Sequence, residues 1–306
     1  MKEMNIRGIR SDHVYQKMIA ASIEKRNDIY RYELMKPFEK KLEIYRIPLK
    51  AKQENGYDVI MASTMLGYLA PEKIDESQQD NVALLSQDNF WQTCQKAIED
   101  GLGRFEKAGI SLPIQEYLYT IMLADPKSPY TILSDGYSGD GGIPGYIWGA
   151  IYPNTFTLDR MPAALAHECN HNVRFQFIEW RDDITLAEMM ISEGLAENYA
   201  TSIYGKEKLG PWVSKVSMES LKEYIKPLIK EALDVSGMEN LTAYLYGDEI
   251  AEMNNYFPVG LPFCAGYACG YYMIEHYLQK TGKTITEATI LPSEEILAEI
   301  TDFWEE

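Results

Sequence analysis

Histidine is scarce in this chain: four occur in 306 residues, His13, His167, His171 and His276. Cysteine is equally rare, and Cys94, Cys169, Cys264 and Cys269 form no C-x-x-C pair. That spacing argues against a disulfide scaffold or a cysteine-based zinc ribbon. Four free thiols in a reducing compartment are expected, with the cytoplasm as the default. Positive charge is in deficit too, since 29 Lys and Arg against 46 Asp and Glu give a net charge of -17. An acidic chain is a poor nonspecific nucleic-acid binder and a poor partner for anionic membranes, so neither is expected. No run of 18 apolar residues occurs, and the most apolar stretch, VGLPFCAGYACGYYMI, is broken by Pro262 and three glycines. No membrane span is therefore expected. The opening MKEMNIRGIRSDHVYQK lacks the apolar centre of a signal peptide.

What the sequence does have is apolar content of 46%, enough for a sizeable core. Residues 12–46 read as mostly helical, with Pro37 kinking or dividing the run. Residues 56–69 fit helix or strand, and the polar PEKIDESQQDN after them reads as exposed loop. Residues 81–107 form a second long helical stretch. The texture changes after Gly109. IQEYLYTIML (114–123) and YIWGAIYP (146–153) read as strands, and SDGYSGDGGIPG (134–145) between them reads as a glycine-rich turn. No GK[ST] follows that turn, so it is not a phosphate loop. Asp140 within it fits a metal ligand or a turn cap and stays unassigned. A helix is expected from about Asp159 as N-cap, with Pro162 in its first turn. Everything beyond Trp180 is helical in character. The fold class is α+β, helix-rich, rather than a βαβ series. It divides into a helical N-terminal region, 1–110, and a second region, 111–306, whose small sheet and the helix after it end near 180.

Two of the four histidines fall in H-E-C-N-H, residues 167–171. On a helix His167 and His171 are i and i+4, one above the other, so both reach one zinc ion. Glu168, about 100 degrees round the helix, is placed to touch a metal-bound water rather than the metal. Cys169 points the other way. It joins Met161, Leu165 and Val173 on an apolar ridge and is expected in the core. Composition alone yields fewer than about 0.01 H-[DE]-x-x-H patterns in such a chain, so chance is a weak competitor. A structural metal site usually closes with four protein ligands and has no use for a glutamate beside the first histidine.

No histidine follows closely, so the third ligand is a carboxylate. LAEMMISEGLAENYA (186–200) offers Glu188, Glu193 and Glu197. Glu193 and Glu197 share one face of an otherwise apolar helix, where burying acid requires a partner such as a metal ion. Glu193 is the expected ligand. Glu197 is a candidate to orient a ligand histidine through its ring N–H, and Glu188 is expected in solvent. Gly194 permits close approach of another backbone.

HExxH followed by EGLA (193–196) resembles the thermolysin-like and aminopeptidase-like gluzincins. The pattern is closer still to a bacterial family of predicted zinc-dependent proteases related to YjaZ of Bacillus. That likeness covers roughly the last two thirds of the chain: the glycine-rich turn and strand, AHECNH, EGLAE, and GYACGYY (266–272) before a helix. The resemblance implies a zincin-like metallopeptidase fold. It also implies Zn2+ held by His167, His171 and Glu193, with Glu168 as general base and a carboxylate at Glu197 one turn beyond the ligand. One departure is spacing, with 21 residues between His171 and Glu193, slightly more than in thermolysin.

The expected reaction is hydrolysis of peptide bonds in a peptide or unfolded protein by a Glu168-activated zinc-bound water. The oxyanion needs a further donor. Tyr267 is the first candidate and Tyr271 the next, with Tyr272 behind them. Gly266 and Gly270 form a slim strip suited to close packing. YIWGAIY is a candidate edge strand for extended substrate, with Gly149 allowing its approach. Competing readings are another zinc-dependent amide hydrolase and a non-proteolytic, zinc-stabilised binding or regulatory protein.

Overall fold

Strand β2 (Glu116–Leu123) is a largely buried, interior strand of a four-stranded sheet, as its aromatic and branched sequence EYLYTIML favours. The computed structural model describes residues 4–53 and 56–305, and the sheet order in it is β1-β2-β4-β3. β1 (Asn5–Gly8) pairs parallel with β2, β2 pairs parallel with β4 (Tyr146–Ile151), and β3 (Tyr137–Asp140) pairs antiparallel with β4. The fold is α+β with helix in excess, as the sequence predicts.

Two compact units divide the chain: residues 1–100 with 114–168, and residues 101–113 with 169–306. The first holds the whole sheet. Its N-terminal segment breaks around Pro37 as expected, through a short 3-10 turn, Lys36–Phe38, into the helix Glu39–Ile44. The second unit is built on two helices, Leu186–Tyr204 and Ala265–Thr281. They approach backbone to backbone, because a Cβ on Gly194 would lie 2.1 Å from the Gly270 carbonyl oxygen. Gly194 and Gly270 thus do what their sequence positions imply. Around them Met190, Leu195, Leu245, Cys269, Met273 and Ile274 form one apolar core.

Several sequence expectations are corrected. Residues 134–145 are not all turn, since β3 lies within them; it is poor in strand-forming residues and is held by its register with β4, Gly139 opposite Gly149. β1 is a strand in a region read as helical, fixed by pairing with β2. β4 is interior, and β3 is the last strand in the sheet order. Gly149 makes room for Met161 and Ile121 rather than for a substrate. The motif helix spans Thr155–Phe177, four residues earlier than Asp159, with Pro162 inside it. The reason is a better cap: the Asn154 side chain accepts from the Phe156 and Thr157 amides at 2.9 and 3.1 Å. The polar stretch after Ala70 forms two 3-10 turns, and Ile74 anchors it in the core.

Candidate metal centre

Cys169, Met161, Leu165 and Val173 are all fully buried, so the ridge read from the sequence is the core-facing side of the motif helix. That ridge sets the helix's rotation, and the rotation presents His167 and His171 together. The ligand atoms of His167, His171 and Glu193 all lie within 4.8 Å of one another. The three residues are 4%, 7% and 7% exposed, enough for access and too little for free solvation. Burying a carboxylate at this level needs a cationic partner. Two imidazoles and one carboxylate are the donors of a catalytic zinc site, in which three protein ligands leave a coordination position open. The residues fit the ion.

Glu193 owes its place to the start of its helix. Thr185 and Glu188 form a reciprocal capping box, and Glu188 also accepts from Arg181 at 3.0 Å. Glu188 is therefore a capping residue, not merely a solvated one. Two turns on, Glu193 Oε2 faces His171 Nε2 at 3.2 Å. The other ring nitrogen of His171, Nδ1, lies 3.2 Å from Ser192 Oγ. A ligand histidine held through its second nitrogen keeps its ring orientation and tautomer. The sequence does not single out Ser192, since a carboxylate is the expected partner in this role. Its adjacency to Glu193 is the one signal that could have found it. Phe175, one turn along, stacks its ring parallel to His171 with centroids 6.1 Å apart.

Glu197 takes two donors from outside its helix, the Gly210 amide and the Trp212 indole N–H, each at 2.7 Å. Beside His171 Nδ1 stands Ser192, and the two donors of Glu197 tie residues 210–212 to the ligand helix.

Glu168 is 7% exposed and accepts the Gly141 amide at Oε2, at 2.6 Å. The backbone here is unusually close. A Cβ on Gly139 would lie 2.4 Å from Glu168 Cγ, and one on Gly141 would lie 2.2 Å from the Glu168 carbonyl oxygen. Gly139 and Gly141 are thus required by contact with the motif helix.

Tyr267 is partly buried near the start of Ala265–Thr281, its ring 5.5 Å from that of Tyr246. Burial, and after it the negative charge of Glu193, push its hydroxyl well above the usual tyrosine range, so it stays a proton donor at neutral pH. Tyr271 is buried among Val213 and Ala268. His13 is exposed beside Asp12, and His276 lies 3.4 Å from Asp302, so neither is among the grouped ligands.

A family model described as "Predicted Zn-dependent protease (DUF2268)" matches residues 90–298. The chain belongs to that family. It is also 37% identical over 297 residues to the "Uncharacterized protein YjfC" of Bacillus subtilis (strain 168), covering 97% of this chain and 98% of the relative. No solved structure matches it. Family and ligand set together give a gluzincin-type site, and the chain is a metallopeptidase of that type. No helix among the described residues is long and apolar enough to cross a membrane.

Proposed function

We propose that this protein hydrolyses peptide bonds with zinc held by His167, His171 and Glu193, Glu168 acting as general base and then general acid. Zinc, when bound, polarises a carbonyl and makes water acidic enough to be deprotonated near neutral pH. The observation that carries the reading is the placement of Glu168. Its carboxylate is buried beside the first ligand histidine and held by an amide donor at 2.6 Å, poised to take a proton and pass it to the leaving amine. A structural metal site has no need of such a group.

Tyr267 is proposed as the donor to the developing oxyanion, supported by its protonated hydroxyl and its electrostatic proximity to Glu193. An extended peptide is proposed to pair along β3, the terminal strand of the sheet. Residues 111–306 carry every proposed ligand and proton carrier. The four buried free thiols favour a reducing compartment, and the cytoplasm is the proposed location.

Glu168→Gln tests the reading. The variant is expected to bind zinc at wild-type stoichiometry and to lose at least about 100-fold in kcat on a fluorescence-quenched peptide library. A wild-type protein with one zinc per chain that cleaves no member of the library would refute the peptidase reading. Hydrolysis of small amides alone would favour the other amide-hydrolase class.

A further inference from the structure

The turn that holds Glu168 poses a mechanical problem. Contact with the motif helix demands glycine at 139 and 141, and residue 142 is glycine as well. Glycine is the residue that least restrains its backbone. The β3–β4 ladder restrains the backbone as far as Asp140, and two glycines follow it.

Asp140 is the one residue of 139–142 with a side chain. Its carbonyl carbon is bonded to the Gly141 nitrogen, so its conformation sets the direction of the N–H that Glu168 accepts. Its own carboxylate is anchored three ways. Asp140 Oδ1 lies 2.9 Å from Lys41 Nζ, accepts the Tyr45 hydroxyl at 3.3 Å, and accepts the Gly142 amide at 3.3 Å. Lys41 is fully buried, a rare state for an ammonium group. It is enclosed by this carboxylate and by the faces of Trp148 and Tyr45, with 4.8 and 5.0 Å from Nζ to the ring centroids. Trp148 stands directly opposite Asp140 in the β3–β4 register. Alternation then puts Gly139 on the face toward Glu168 and Asp140 on the other face, toward Lys41.

We propose that the Lys41–Asp140 ion pair is a positioning device for Glu168. It clamps, from the far face of β3, the peptide unit whose N–H fixes the catalytic carboxylate. The proposal rests on the reading of Glu168 as the base. A pair that served stability alone could be replaced by apolar residues without harm, because exchanging a buried ion pair for hydrophobic groups is often neutral.

That contrast supplies the test. Asp140→Ala leaves Lys41 buried without its carboxylate and is expected to lower the melting temperature. The double variant Lys41→Met/Asp140→Ala removes both charges and is expected to recover most of that loss. Its zinc stoichiometry and KM should stay near wild type, while kcat remains down by about tenfold to a hundredfold on the peptide library. Recovery of kcat together with stability would overturn the proposal.

A second readout needs neither zinc nor turnover. Carbonyl-13C aspartate with 15N glycine marks only the three Asp–Gly peptides, at 100–101, 135–136 and 140–141. In metal-free wild type the Gly141 amide is expected to exchange slowly, and in Lys41→Met on the order of tenfold faster. An unchanged rate would overturn the clamp even if the protein proves to be a peptidase. A changed rate in a protein that cleaves no peptide would uphold the clamp while the peptidase reading fell.

Discussion

Consider Gly141→Ala, a one-methyl change in the turn beneath Glu168. An ideal Cβ there sits 2.2 Å from the Glu168 carbonyl oxygen, 2.8 Å from its carbonyl carbon and 2.9 Å from its Cα. Those are backbone atoms of a long helix, so no side chain can swing aside. Ordinary contact begins near 3.4 Å, and the turn or the helix must move by about 1 Å. Overpacking of this kind costs about 1–3 kcal/mol. The movement also breaks the 2.6 Å amide bond to the Glu168 carboxylate, and a hydrogen bond to a charged group contributes about 1.5–3 kcal/mol. The two terms overlap, so the expected loss is about 2–4 kcal/mol, or a melting temperature lower by about 3–6 °C. Gly142→Ala is the internal control for stability. Its Cβ meets only the Tyr45 hydroxyl at 3.6 Å and Asp140 Oδ1 at 3.9 Å, and its φ is not in the left-handed region. It should stay within about 1 kcal/mol of wild type. Thermal melts on the two purified variants, side by side, decide the matter. Equal melting temperatures would mean that Glu168 does not rest against residue 141 as described.

Three further outcomes follow from the same geometry. Ser192→Ala removes the partner of His171 Nδ1 and should weaken zinc binding about tenfold in chelator competition, with a smaller effect on kcat at saturating zinc. Gly194→Ala would place a methyl 2.1 Å from the Gly270 carbonyl oxygen; urea titration should show destabilisation of about 3 kcal/mol or more, and zinc binding should fall as Glu193 shifts with its helix. Arg174 is fully buried, and burial lowers its guanidinium to about 10, so it is still charged at neutral pH. It donates to the Thr289 and Leu291 carbonyls and to Ser293 Oγ. Arg174→Met should therefore cost about 2–4 kcal/mol in urea titration, by leaving those acceptors without their donor, while peptide selectivity stays unchanged.

The metal ligands were legible in the sequence because helix geometry makes them so. His167 and His171 are brought together by 3.6-residue periodicity alone, and the same periodicity turns Cys169 into the core. Glu193 could be singled out because an acid on an apolar helix needs a partner, and Gly194 and Gly270 because close backbone approach has no other residue to use. Each of these inferences draws on one helix at a time. What stayed hidden depends on pairings between distant segments. β3 has no strand-like composition, and only its register with β4 makes it a strand. YIWGAIY reads as a strand, but nothing local tells an edge from an interior position. Ser192 is one serine among many until the ring of His171 is placed beside it.

Asp140 shows the same limit most clearly. In the sequence it is an acid in a glycine-rich stretch, equally suited to a metal, a cap or solvent. Its partner Lys41 is 99 positions away and, by composition, belongs on the surface. Only the sheet joins them, by setting Asp140 opposite Trp148 and Lys41 against both. The glycines explain why such an anchor is needed. Close contact with Glu168 excludes a side chain at residues 139 and 141, and so leaves Asp140, between them, to anchor that backbone from the other face. The tightness of the contact and the burial of a lysine on the opposite face of the strand are thus two consequences of one requirement. A carboxylate that must hold its position to a fraction of an ångström rests against a glycine-rich backbone.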